Sequence, residues 1–330
     1  MKCLVTGGAG FIGSHLTERL LEDGHKVVVL DNFSTGRPEN LDNLPFADQL
    51  MIVEADIQNQ DLIMPAFKDV DWVFHMAALA DIVPSIEQPL AYHGANVNGT
   101  ISVLEASRRH GVKRFVYAAS SSCYGIPEFF PTREDAPMRP RYPYALTKMI
   151  GEQYVMHWER VFGLSAVSLR MFNVFGPRSR TSGTYGAVFG VFLAQKLAGK
   201  PFTVVGDGTQ TRDFTFVTDV VDAFVSTAAS NLRGEIMNIG SGNTYSINFL
   251  VELLGGDVVY IPKRPGEPDC TFADTTLIKE KLNWSAIVSF EEGTQTMLKN
   301  IEYWREAPVW CPATIGEATR GWFKYLGEND

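Results

Sequence analysis

The sequence predicts an α/β protein built on a doubly wound parallel sheet. Apolar runs rich in β-branched residues alternate with stretches of helical period, and a glycine-rich turn joins the first strand to the first helix. The apolar runs are continuous, which is typical of strands that are buried on both faces of a parallel sheet. These runs lie at residues 27–30, 50–53, 72–76, 114–118 and 165–169, and helical periods cover residues 98–110 and 146–162.

A chain of 330 residues exceeds one ordinary domain. The strand–helix alternation persists to about residue 171, and later residues form shorter pieces punctuated by Pro and Gly. We expect residues 214–240 to return to the large domain. The prediction is a Rossmann-type domain over 1–171 and about 214–240, interleaved with a smaller α/β domain over 172–213 and 241–330 that carries binding loops.

The first element is a phosphate-binding turn over residues 7–13, with Gly7, Gly10 and Gly13 at the spacing such a turn requires. Amides at the start of a helix carry partial positive charge, and glycines let a pyrophosphate approach them. Asp31 follows the next strand, where a carboxylate accepts hydrogen bonds from ribose hydroxyls and repels a 2′-phosphate. The pattern predicts NAD, and a tight turn without a ligand is the plainer alternative.

Tyr144 and Lys148 stand four residues apart, so on a helix they share one face. A free tyrosine is phenolate in only about one part in a thousand at pH 7, which costs about 4 kcal/mol. A neighbouring ammonium and a cationic nicotinamide ring would lower the tyrosine pKa and let it act as a base. The serine-rich loop 120–122 ends a strand at the ligand-binding edge of the sheet, where Ser120 can hydrogen-bond a substrate oxygen.

Composition disfavours several classes of protein. A net charge of -9 argues against nucleic acid as a partner. The four cysteines are scattered without metal-ligand spacing, so we expect no metal and free thiols in a reducing cytoplasm. We expect neither a signal peptide nor a membrane span, because no apolar run is long enough to cross a bilayer.

These motifs resemble the extended short-chain dehydrogenase/reductases, in particular the NAD-dependent sugar-nucleotide epimerase/dehydratase group. The resemblance implies a catalytic Ser120, Tyr144 and Lys148, and a homodimer formed through helices near 91–110 and 145–162. It also implies two binding sets. The cofactor set comprises Gly7, Gly10, Phe11, Ile12, Gly13, Asp31, Asn32, Asp56, Ile57, Ala77, Ala78 and Asn96, together with Tyr144 and Lys148. The substrate set comprises Ser85, Ser121, Ser122, Asn173, Arg212 and Arg264, of which the two arginines would hold a diphosphate.

The resemblance implies inversion of C4 of a nucleotide-diphosphate sugar through a 4-keto intermediate. Relatives that dehydrate or decarboxylate the sugar resemble one another in having an acid after the catalytic hydroxyl, where this chain has Ser121 and Ser122. Dehydration, decarboxylation and a non-catalytic NAD sensor stay as alternatives. Met171 stands where many relatives have an aromatic residue beside the nicotinamide. The nucleotide base and the sugar stay open.

Two segments have less definite roles. We expect residues 178–190 and 80–85 to shape the sugar pocket. The C-terminal tail is rich in aromatic residues, with Trp310 and Trp322 among them. Packing against the body of the protein is its plain explanation, and a subunit contact or an active-site cover are the alternatives.

Overall fold

The computed structural model describes residues 1–179 and 187–327. Most of the loop 178–190, which the sequence assigns to the sugar pocket, therefore lies outside the described residues. Within the described ranges, no helix has the length and apolar character needed to cross a bilayer.

A seven-stranded, fully parallel sheet forms the centre of the molecule, in the order β11-β6-β5-β4-β1-β2-β3. This confirms the predicted doubly wound α/β class. Strand β11 pairs with β6, so residues 236–239 lie in the large sheet, while the exact domain division stays a prediction. The sheet strands are β1 (Lys2–Thr6), β2 (Lys26–Asp31), β3 (Leu50–Glu54), β4 (Trp72–His75), β5 (Arg114–Ser120), β6 (Ala166–Met171) and β11 (Ile236–Ile239).

Helices cover both faces of this sheet. On one face, Leu20 of α1 and Phe224 of α8 pack in one apolar cluster with Val29 of β2. On the other face, Leu104 of α5 and Val155 of α6 pack in a second cluster. The helices are α1 (Phe11–Glu22), α2 (Gln60–Ile63), α3 (Ile82–Glu87), α4 (Pro89–His93), α5 (Gly99–Arg109), α6 (Pro143–Phe162), α7 (Val188–Leu197), α8 (Val217–Ala229), α9 (Ile247–Leu254), α10 (Thr276–Leu282), α11 (Phe290–Lys299), α12 (Pro312–Ala318) and α13 (Arg320–Leu326).

The smaller part of the molecule is built from short strand pairs around a phenylalanine-rich core. Phe175 and Phe189 stack with ring centroids 4.7 Å apart, and Phe214 stacks on Phe290 at 4.9 Å. The strand pairs are β7 (Val174–Phe175) with β10 (Thr215–Phe216), β9 (Thr211–Arg212) with β12 (Tyr245–Ser246), and β8 (Phe202–Val205) with β13 (Val258–Ile261). Short 3-10 turns cover Pro38–Leu41, Ala47–Gln49, Met64–Phe67, Ser121–Tyr124 and Ile301–Trp304, and one π-helical turn covers Gly94–Asn98.

The order of the strands in the sheet shows where a ligand-binding crevice forms. Strands β1 and β4 are neighbours, and the chain leaves them in opposite directions across the sheet. A crevice opens outside the carboxyl ends of the strands at such a reversal, and ligands bind there in open α/β sheets. The turn after β1 and the serine loop after β5 both end at this edge.

Candidate active site

A cleft of about 710 Å³ runs along the carboxyl ends of the sheet and continues between the two parts of the molecule. It is lined by all but two of the residues that the sequence analysis selects, from Gly7 in the first turn to Arg264 in the smaller part. Met171 also lines it. The motifs of both parts therefore face one space.

The first turn is shaped for close approach of a ligand. A Cβ on Gly7, whose φ is +68°, would lie 2.7 Å from the Ala77 backbone nitrogen, and one on Gly13 would lie 2.1 Å from the Gly7 carbonyl oxygen. Both positions therefore require glycine. Gly10 is the N-cap of α1 and lines the cleft together with Phe11 and Ile12, and a Cβ on it would lie 3.1 Å from the Gly7 carbonyl oxygen. The uncapped amide end of α1 fits a pyrophosphate.

The carboxylate of Asp31 lies at the end of β2 and is nearly buried. Its oxygens accept hydrogen bonds from the Ala9 and Phe33 backbone N–H groups, each at 2.9 Å. Burial raises the pKa of Asp31, and these hydrogen bonds act against that rise. Each oxygen has a further lone pair that can accept from a ribose hydroxyl. These features fit a dinucleotide without a 2′-phosphate.

Asp56 follows β3 and lines the cleft. Its carboxylate accepts hydrogen bonds from the Asn32 side chain at 3.2 Å and from the Gln58 backbone N–H at 2.8 Å. Ile57 lines the cleft next to it. On the opposite wall, Ala77 donates its backbone N–H to the Thr6 hydroxyl, and Ala78 follows it along the lining.

Two selected residues lie behind the wall of the cleft instead of lining it. Asn96 is 1% exposed. Its amide accepts from the Leu79 N–H at 2.8 Å and donates to the Leu79 carbonyl and to the Thr147 hydroxyl. Ser85 is fully buried and donates to the Ile82 carbonyl at 2.6 Å. In this geometry Asn96 braces the wall segment against α6, and Ser85 closes a turn of α3. Their ligand contacts stay predictions that the geometry does not support.

The catalytic residues predicted from the sequence lie together at the centre of the cleft. Ser120 hydrogen-bonds Tyr144, and its Oγ lies 2.8 Å from the Ser122 Oγ. Lys148 is 4% exposed, and its Nζ lies 4.5 Å from the centroid of the Tyr117 ring. Burial lowers the pKa of Lys148 to about 7, and the charge of Glu152 acts in the opposite direction. The lysine can therefore change protonation state near neutral pH.

The pKa of Tyr144 differs from the expectation. Burial raises the pKa of Tyr144, the hydrogen bond with Ser120 lowers it, and the negative charge of Asp81 raises it further. The protein's own groups thus raise the pKa that the sequence analysis expects to be lowered. The contribution of the coenzyme's positive charge stays a prediction.

A buried ion pair behind the catalytic loop has no counterpart in the sequence analysis. Arg170 of β6 and Glu152 of α6 are each 3% exposed in their side chains and lie 2.6 Å apart. Arg170 also donates to the Tyr124 hydroxyl at 2.8 Å, which in turn donates to Asn238. Glu152 stands one helical turn after Lys148, on the face that carries Tyr144. That spacing is the signal that could have identified it.

The two predicted arginines line the cleft in the smaller part of the molecule, and both bind one glutamate. Arg212 Nη2 lies 2.8 Å from Glu267 Oε1, and Arg264 Nε lies 2.7 Å from Glu267 Oε2. Asn173 accepts from the Thr271 hydroxyl at 2.7 Å on the same wall. Burial raises the pKa of Glu267, but the charges of Arg264 and Arg212 outweigh it and hold that pKa below its ordinary value. The two arginines belong to sequence motifs that predict them, whereas no motif predicts the glutamate between them.

The family model described as the NAD dependent epimerase/dehydratase family matches residues 3–240. The chain belongs to this family. The membership confirms the resemblance seen in the sequence and confirms NAD as the coenzyme.

The similar proteins include nucleotide-sugar epimerases. A UDP-glucose 4-epimerase of Mycolicibacterium smegmatis is 38% identical over 92% of this chain and 99% of its own length. The structure of a UDP-glucose 4-epimerase of Thermotoga maritima with UDP-glucose has a TM-score of 0.86 and 35% identity, covering 93% of this chain and 99% of that chain. A UDP-glucuronic acid 4-epimerase of Bacillus cereus, in complex with UDP-glucuronic acid and NAD, has a TM-score of 0.85 and 32% identity over 92% and 99% of the two chains.

Proposed function

We propose that this protein is an NAD-dependent epimerase that inverts C4 of a nucleotide-diphosphate sugar. The observation that carries the proposal is one cleft with a serine, tyrosine and lysine at its centre, a dinucleotide turn at one end and a two-arginine cluster at the other. The relatives that act on UDP-sugars at C4 support the same reaction.

The amides of α1 and the Asp31 carboxylate would hold NAD, and Lys148 would hold its nicotinamide ribose. When bound, the coenzyme supplies the hydride acceptor and donor that C4 inversion requires. Gly7 and Gly13 leave the room that a pyrophosphate needs beside the helix.

Tyr144 removes the proton from the sugar 4-hydroxyl and later returns it to the same oxygen. The configuration at C4 inverts because the hexose turns before the ketone carbon is reduced on its other face. Ser120 hydrogen-bonds Tyr144 and is placed to hold the same sugar oxygen. The Lys148 ammonium stabilises negative charge that develops on this oxygen network. A 4-keto sugar is the intermediate, and the reaction has no net change in oxidation state.

Arg212 and Arg264 hold the diphosphate while the hexose turns over. Two guanidinium groups can bind a dianion with several charge-assisted hydrogen bonds. Binding energy from this remote part of the substrate retains the ketone until it is reduced.

Dehydration is the second candidate, and one observation favours it. Elimination needs an acid to protonate the leaving hydroxyl, and Ser121 and Ser122 are poor acids. Asp81, however, lines the cleft and lies close enough to Tyr144 to raise its pKa. The products distinguish the two reactions.

The test is turnover of a panel of UDP-, dTDP-, GDP- and CDP-sugars, followed by NMR of the products. We expect a C4 epimer from the wild-type protein and a loss of at least about 100-fold in kcat for Tyr144→Phe. Tyr154→Phe, on the same helix, is the matched control and should retain activity. Unchanged turnover in Tyr144→Phe contradicts the proposed base, and a 4-keto-6-deoxy product or carbon dioxide supports dehydration or decarboxylation instead.

We also propose that the protein is a cytoplasmic homodimer. Exposed apolar side chains of Leu146 and Phe162 on α6 and of Leu90 on α4 support an interface at these helices. Free thiols at Cys3, Cys123, Cys270 and Cys311 support a reducing compartment.

A further inference from the structure

The C-terminal tail lines the active-site cleft. Ala307, Pro308, Trp310 and Trp322 are part of its lining, although the family model ends at residue 240. The tail therefore adds residues to a site that the shared motifs do not describe.

Trp322 is fixed in this position by several contacts. It is 3% exposed, and its indole Nε1–H donates to the Pro265 carbonyl at 2.6 Å. The Arg264 guanidinium carbon lies 5.2 Å from the centroid of the Trp322 ring. Trp322 thus contacts the residue next to Arg264 through a hydrogen bond and Arg264 itself through its ring face.

Arg264 is consequently held from two directions. Its Nε and Nη2 donate to Glu267 at 2.7 and 3.1 Å, which fixes the edge of the guanidinium. The Trp322 ring packs against the guanidinium group, a cation–π contact that is strengthened by the burial of the indole. Such packing reduces the rotamer freedom that a long side chain would lose on binding a ligand.

We propose that Trp322 is a positioning residue that pre-orients Arg264 for the substrate diphosphate. The inference rests on the proposed function, because it takes Arg264 as a diphosphate ligand. It resolves the role of the aromatic tail in favour of an active-site element. Trp322 acts through Arg264 and is not itself a catalytic residue.

The test is a double-mutant cycle in the full-length chain, with UDP-glucose for turnover and UDP for binding. We expect Trp322→Ala to raise the KM of UDP-glucose and the Kd of UDP about tenfold, with kcat within about twofold of wild type. In a protein that already carries Arg264→Met, Trp322→Ala should raise the KM and the Kd by less than about twofold. Phe323→Ala, the next residue of α13, is the matched control and should leave both constants unchanged.

Additive losses in the double variant, or a KM within twofold of wild type in Trp322→Ala, would overturn the inference. A fall in kcat at unchanged KM would also overturn the inference. Such a result would mean that Trp322 acts on the catalytic step through Tyr142, whose ring centroid lies 6.2 Å from that of Trp322. Absence of any sugar-nucleotide turnover by the wild-type protein contradicts the proposed function instead.

Trp322→Phe keeps the test available if Trp322→Ala does not fold. The phenyl ring retains packing on Arg264 and loses the hydrogen bond to Pro265. We expect a Kd for UDP raised about threefold in this variant and no further loss on the Arg264→Met background. An unchanged Kd would contradict the proposal.

Discussion

Two arginine–glutamate clusters in this molecule differ in how their charges are balanced. Glu152 and Arg170 form a one-to-one pair whose side chains are each 3% exposed. At the cleft, Glu267 pairs with both Arg212 and Arg264, and these side chains are 9–20% exposed. The first cluster is neutral and enclosed, while the second has one positive charge in excess and faces the cleft.

The difference fits a structural role for the enclosed pair and the proposed diphosphate-binding role for the cluster at the cleft. The Glu152 carboxylate also accepts from the Ser168 hydroxyl at 2.9 Å, so the enclosed pair completes a hydrogen-bond network between α6 and β6. An incoming anion cannot reach it. The cluster at the cleft places two guanidinium groups around one carboxylate, which leaves positive charge to attract a diphosphate.

Loss of one partner should affect the two clusters very differently. Glu152→Ala leaves Arg170 buried without its counter-charge, and we expect it to lower the free energy of unfolding by about 3–5 kcal/mol. Glu267→Ala leaves two arginines that are less enclosed and border the cleft, and we expect a smaller loss of about 1–3 kcal/mol. Urea denaturation of both nucleotide-free variants measures these losses. Equal losses would show that the clusters do not differ in this way.

Removal of one positive charge at the cleft should weaken binding rather than folding. We expect Arg212→Met and Arg264→Met each to raise the KM for the sugar nucleotide about 10- to 100-fold, equivalent to about 1.4–2.8 kcal/mol. Arg233→Met, which removes a surface arginine that pairs with Glu159, is the control and should bind normally. Steady-state kinetics with the active sugar nucleotide measures this effect. Wild-type KM values in both cleft variants would show that Arg212 and Arg264 do not bind the diphosphate.

The smallest effect concerns Lys148, which lies next to the enclosed pair. Its folded pKa of about 7 lies below the ordinary 10.5, so the unfolded chain binds more protons between these values. Wild-type stability should therefore gain from a rise in pH from about 7 to 10.5. In Lys148→Met we expect this gain to be smaller by at least about 1 kcal/mol. Urea denaturation at pH 7, 8.5 and 10 measures it, and parallel pH profiles would contradict the lowered pKa.

Features that depend on local spacing could be predicted from the amino-acid sequence alone. The turn over residues 7–13 forms within one strand–helix connection, and Gly7 and Gly13 leave gaps that no other residue would leave. Tyr144 and Lys148 share a face because α6 brings residues four apart together. The alternation of apolar runs and helical periods likewise predicted the parallel sheet, because burial on both faces demands continuous apolar strands.

Contacts between residues far apart in the chain became visible only in the folded molecule. Glu267 lies 55 positions from Arg212, and Trp322 lies 57 positions from the carbonyl that anchors it. Asn96 faces the back of the wall because the wall segment offers its own backbone groups to the amide. Spacing in the chain contains no information about such contacts. They depend on how the sheet, the smaller part and the tail pack, and packing also sets the burial that shifts the pKa values of Tyr144 and Lys148.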